Sequence, residues 1–245
     1  MTRILGVLLL LSGLLLVGPA SAQSLSVDLG DGGGSTTGRI VELVVLMTVL
    51  SVVPGLLVTV TSFTRIVVVL SFVRTALGIQ QTPPNTVLVS LALFLSAFVM
   101  APTLERSYND GVAPLIAEKL DTATALERTA KPFHDFMQTH VRDQDLQLFM
   151  GLGRIAPVAT PDDTPYRALL PAFLISELRR AFEIGFLLFL PFLIIDIVVA
   201  SLVMSMGMVS LPPNVISLPF KLIFFVLIDG WYLVCGSLIQ SFGPG

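Results

Sequence analysis

This sequence is short of charge. Only 13% of its 245 residues are Asp, Glu, Lys or Arg, about half the share of an ordinary soluble domain. A dissolved globule of this size needs more polar surface, which argues against a cytosolic enzyme. There is no basic excess either, because 14 Lys and Arg stand against 17 Asp and Glu, and this argues against a nucleic-acid partner. One cysteine excludes an intrachain disulfide framework and any cysteine-cluster metal site. What is abundant is apolar: 54% of residues are hydrophobic and the mean hydropathy is +0.88. The composition is that of a membrane protein.

Residues 1–22 have the parts of a secretory signal peptide. Arg3 supplies a short positive region, Ile4 to Val17 is an apolar run of 14 residues, and Gly18-Pro19 breaks it. Ala20-Ser21-Ala22 then offers the small residues of a cleavage site, expected between Ala22 and Gln23. Residues 23–38 follow as a flexible segment. Its stretch from Asp28 to Gly38 is glycine-rich, but it lacks the lysine of a phosphate loop and no strand precedes it.

Two hydrophobic regions carry the rest. In the first, residues 39–104, Leu43 to Thr64 is a run of 22 uncharged residues with Pro54-Gly55 in its middle. As a helix it measures about 33 Å, enough for a ~30 Å hydrocarbon core. Arg65 and Arg74 bracket a second apolar stretch, and a further helix is expected from near Pro84 to near Pro102. In the second region, residues 166–245, apolar stretches run from about Ile184 to Met206 and from about Val215 to Ile239. Pro191 and Asp196 interrupt the former, and Pro219, Lys221 and Asp229 the latter.

Residues 105–165 differ in kind. About half of the chain's charges lie here, and Phe133, Phe136, Met137 and Val141 recur at helical spacing. The pattern predicts an amphipathic helical region on one side of the membrane, the periplasmic side if the leader is cleaved, with Pro132 opening one helix. Thr164-Pro165 is expected to open a long helix leading into the third apolar stretch. The charges strain a simple four-span topology. A cleaved leader leaves Gln23 outside, so Arg179-Arg180 also fall outside, directly before a span and against the positive-inside tendency. Asp196, Lys221 and Asp229 each cost about 2.5–3.5 kcal/mol at the bilayer centre. They are expected to face protein or water, within a larger assembly.

Catalytic readings find little support. An intramembrane aspartyl protease needs two carboxylates sharing a proton; Asp196 and Asp229 are the candidates, without the usual Gly-x-Gly-Asp context. His134 and His140 are six residues apart, on different helix faces, and read as surface residues rather than metal ligands. Cys235 reads as packing, and no cofactor or metal is implied. The methionines are more informative. Met204, Met206 and Met208 fall within five residues, beside Gly207 and before Pro212-Pro213. They are either core packing or flexible thioethers at a helix end, able to mould around a passing chain.

Several long motifs carry a resemblance. They are Thr61-Ser-Phe-Thr-Arg65 running on to Arg74, Gln81-Thr-Pro-Pro-Asn85, and Leu170-Pro-Ala-Phe-Leu-Ile-Ser-Glu177-Leu178. Phe189-Leu-Pro-Phe-Leu-Ile-Ile-Asp196 and Leu218-Pro-Phe-Lys221, leading to Asp229-Gly-Trp231, complete the set. Through them the chain, from about Arg39 to Phe242, resembles the FliP family of flagellar type III export-gate proteins.

The resemblance implies an all-α fold of kinked hydrophobic hairpins that assemble into a helical pore, with the amphipathic region as an insertion. It implies a non-enzymatic role: several copies, together with FliR, FliQ and other export-apparatus membrane components, pass unfolded flagellar substrates across the inner membrane. The implied location is the inner membrane and flagellar basal body, with much of the core towards the periplasm. The family's methionine constriction maps onto Gly207-Met208-Val209-Ser210-Leu211-Pro212-Pro213. Only Met208 matches a family methionine; Met204 and Met206 lie just before it, and Val209 and Ser210 stand in place of methionines. Within the matched motifs Glu177 and Lys221 are expected to pair between subunits, with Arg179, Arg180 and Asp196 in the same buried network. Asp229, also expected in polar surroundings, lies two turns from Lys221, about 12 Å along a helix. The alternative reading is a secondary transporter or ion-coupled channel for a small solute, although the two halves show no internal repeat. A non-conducting scaffold is the third.

Overall fold

A computed structural model describes residues 58–243 apart from Gln80 and 209–211, together with six positions between 43 and 55. The expected signal peptide, its Ala22–Gln23 junction, residues 23–38, most of the first apolar run, and Val209 and Ser210 lie outside the described residues. The elements below all belong to one unit, Val49–Gly245. They are helical, with no strand among the described residues.

Helix α1 (Phe63–Ala76) buries Ile66, Val69, Leu70 and Val73, the i, i+3, i+4, i+7 spacing of one helix face. Helix α2 (Asn85–Ser107) continues through a π-helical turn, Tyr108–Val112, into the short α3 (Ala113–Ile116). The expected end at Pro102 is not observed. A proline forfeits its own N–H bond, and a modest bend relieves its ring, so an otherwise strong apolar helix carries on past it. In the π turn Gly111 lies against the helix that follows, and a Cβ there would come within 2.7 Å of the Thr129 amide nitrogen.

Helix α4 (Thr122–His140) begins ten residues before Pro132, which is buried in its interior. Asp121 sets the start, its carboxylate accepting the Thr124 N–H at 3.2 Å, so the cap rather than the proline decides the boundary. Hydrogen bonds from Thr124 hold the Asp121 carboxyl below its ordinary pKa. Helix α5 (Asp143–Leu152) follows. Then comes α6 (Tyr166–Ser205), 40 residues of continuous helix and about 60 Å long. The long helix expected from the Thr164-Pro165 signal is therefore present, starting one residue later, and neither Pro171 nor Pro191 ends it. Helices α7 (Pro213–Leu227) and α8 (Gly230–Gln240) meet at a 64° bend.

Contacts give the directions. Arg65 meets Glu177, and Phe72 meets Phe182 and Gly185, so α1 runs parallel to α6. Gly185 permits this approach, because a Cβ there would fall 2.5 Å from a Phe72 ring carbon. Along α6 and α7 the pairs are Asp196 with Lys221 and Phe192 with Phe225, which defines an antiparallel hairpin. Ser62 and Ser96, whose hydroxyls lie 3.0 Å apart, and Arg74 with Asn85 define another between α1 and α2. One apolar cluster joins α1 to the start of α2, the middle of α6 around Ala181 and Phe192, Phe225 of α7, and Val234 and Leu238 of α8; a second joins Met100, Phe136, Met137, Leu169 and Phe173. The Asn85–Ile116 and Tyr166–Ser205 helices are long and apolar enough to cross a membrane, and the bent α7–α8 pair qualifies if counted as one span.

Candidate functional site: a methionine turn and two buried ion pairs

The methionine cluster forms the end of α6. Gly207 takes φ +76°, a left-handed conformation that side chains disfavour. Around it the Gly207 N–H donates to the Met204 carbonyl at 3.0 Å and the Met208 N–H to the Val203 carbonyl at 3.2 Å. These are the two bonds of a Schellman helix end. The turn leaves Met204, Met206 and Met208 exposed by 65, 70 and 43%. Of the two readings open from sequence, core packing is therefore ruled out within the single chain. Met206 also borders an apolar groove of about 500 Å³ with Ile194, Val198 and Leu202 of α6 and Ile216 and Phe220 of α7.

Below the turn, Lys221 reaches across from α7. Its ammonium donates to Asp196 Oδ2 at 2.6 Å and to the Ala76 carbonyl at 3.0 Å. Ser217 Oγ donates to the other Asp196 oxygen at 2.6 Å. One lysine thus neutralises a carboxylate on α6 and satisfies a carbonyl at the end of α1, where helices leave acceptors unpaired and cations are favoured.

At the far end of α1, Arg65 Nε donates to Glu177 Oε2 at 2.9 Å, and Nη2 donates to Oε1. Both side chains are buried, at 1 and 0% exposure. This is a two-point arginine–carboxylate grip, strong because both partners are charged and aligned.

Glu177 and Lys221, expected to pair between subunits, are each buried with a different partner within the single chain, because parallel α1 brings Arg65 beside Glu177 and the α6–α7 hairpin brings Lys221 beside Asp196. The remaining charges do not form one buried network. Arg179 is exposed and bonds Glu183 one turn on, at 3.0 Å. Arg180 is half-buried. Asp229 is exposed at the α7–α8 bend with φ +51°. The histidines, expected at the surface, are both buried. His134 Nε2 lies 2.8 Å from the Thr164 carbonyl and His140 Nδ1 2.8 Å from that of Phe136. His134 is covered by Tyr166 at the start of α6, and His140 by Phe242. Cys235 is half-buried.

Arg65 was legible in part. It closes an uncharged run yet sits at helical spacing among buried valines and leucines, where an arginine needs a carboxylate. Ser217 and the Ala76 carbonyl left no such trace, because a hydroxyl or backbone oxygen reads alike at any position.

These features define an all-α membrane protein of kinked helical hairpins whose buried charges are neutralised within the chain. A model of the FliP family matches residues 46–238, and the chain belongs to that family. It is 56% identical over 243 residues to the flagellar biosynthetic protein FliP of Caulobacter vibrioides, covering 99% of this chain and 91% of that one. The FliP of Bacillus subtilis is 52% identical over 202 residues, covering 82% and 91% respectively. That of Rhizobium meliloti is 48% identical over 229 residues, covering 92% and 94%.

Proposed function

We propose that this chain is a flagellar biosynthetic protein that serves as a pore-forming core subunit of the flagellar type III export gate, passing unfolded flagellar substrates across the inner membrane. The observation that carries this reading is the end of α6: a glycine-fixed turn that holds three methionines out of the chain's own core. Unbranched thioethers pack against many shapes, as a constriction must when successive unfolded segments pass. Family membership supports the flagellar context. In this reading several copies assemble with FliR and FliQ, and the exposed apolar flanks of α2 and α6 are covered by sister subunits and lipid.

The test is a photo-cross-linking residue at position 208 of the full chain, with an export substrate stalled in transit. Adducts to the substrate are expected at 208 and not at Phe94, which is 76% exposed on α2. Equal adducts at both positions, or none at 208, would remove the methionine turn from the substrate path.

A further inference from the structure

The two hydrophobic helices that bury Arg65 do not satisfy it. Glu177 takes Nε and one side of the guanidinium, which leaves Nη1 facing the chain beyond α8. There it donates to the Ser241 carbonyl at 2.9 Å and to Ser241 Oγ at 3.0 Å. The serine hydroxyl spends its own proton on the Leu238 carbonyl, 2.7 Å away, so it is oriented as an acceptor for Arg65. Phe242 then covers the guanidinium face, its ring centroid 3.7 Å from the arginine's central carbon, within the range of a cation–π contact.

The same ring faces the charged region on its other side. Phe242 stacks on Phe136 of α4 at 6.2 Å and 22°, and meets His140 at 5.5 Å. It packs against both apolar clusters. Two residues outside any helix therefore join α1, α4, α6 and α8.

From this arrangement we infer that residues 241–243 form a strap. It docks on the Arg65–Glu177 pair and clamps the amphipathic region to the hydrophobic hairpins. Undocking strands a buried Nη1 without an acceptor and removes the ring between α1 and α4. The strap is thus held by a charge that only it completes, and its release loosens α4 and the α4–α5 junction together. At that junction the Arg142 N–H is held by Ser176 Oγ of α6 at 3.0 Å.

Trypsin cleavage after Arg142 in the detergent-solubilised full chain reads this opening. Phe242→Ala is expected to accelerate that cut about tenfold, and Phe242→Leu, which keeps apolar volume but loses the ring face, about threefold. In an Arg65→Met/Glu177→Leu background, which removes the buried charges together, the Phe242→Ala effect is expected to fall below about threefold. Cleavage of both single variants at the native rate overturns the strap. So does an undiminished acceleration in the charge-free background, which would make Phe242 a packing residue indifferent to Arg65. If Phe242→Ala does not fold, Phe242→Leu decides: about threefold faster cleavage supports the strap, and the native rate overturns it.

Discussion

A buried ion pair responds in opposite ways to losing one partner and to losing both. Asp196→Ala leaves the Lys221 ammonium, 6% exposed, with a single carbonyl for company. The expected cost is about 3 kcal/mol, the low end for a broken buried pair because Asp196 itself keeps some solvent. Asp196→Leu combined with Lys221→Met should restore most of it, since an apolar pair of similar volume has no desolvation penalty. Thermal unfolding in detergent distinguishes the cases. A double variant no more stable than Asp196→Ala would mean that packing, not charge, was lost. At this scale residue types say that a partner is required but not which one. Glu177, Arg65, Lys221 and Asp196 all stand in apolar stretches, and several pairings satisfy the charge equally well.

Among the helices, the end of α6 depends on one backbone angle. Gly207→Ala forces a Cβ into a left-handed conformation at a cost of about 1 kcal/mol. The Met208 amide, now bonded to the Val203 carbonyl, should exchange its hydrogen about fivefold faster as the turn frays. Unchanged exchange would show that neighbouring residues hold the turn without the glycine. Element boundaries divide by the kind of signal that sets them. The Thr164-Pro165 start is local chemistry and places the start of α6 to within a residue, whereas the Asp121 cap, equally local, sets the start of α4 without having been expected. The prolines at 102 and 191 misled, because in a long apolar helix the packing on either side outweighs one absent N–H bond; Pro132 misled because the Asp121 cap had already started α4.

Across the whole chain, the apolar surface exceeds what the fold buries. In the most apolar window of α6 only 17% of residues are buried within the chain, and Phe182, Phe186, Ile194 and Ile197 are among the side chains left exposed. Patches of this extent require cover from outside the chain. In the proposed gate the methionine turn closes the channel between substrates. Met206→Ala with Met208→Ala should then raise ion leakage severalfold when the assembled core is expressed without substrate. Unchanged conductance would take both thioethers out of the seal.

The sequence by itself determined the class. Low charge, long apolar runs and a charged insertion of helical period admit an all-α membrane protein and little else, because hydropathy and periodicity act locally. It also marked the family motifs and the methionine cluster. The partners were decided only in three dimensions. Whether Glu177 meets Lys221 or Arg65 depends on α1 lying parallel to α6, and residues 241–243 matter because the end of α8 returns to the start of α1. Electrostatic pairing is set by distance across the fold, and sequence order carries no distance between segments more than a hundred residues apart.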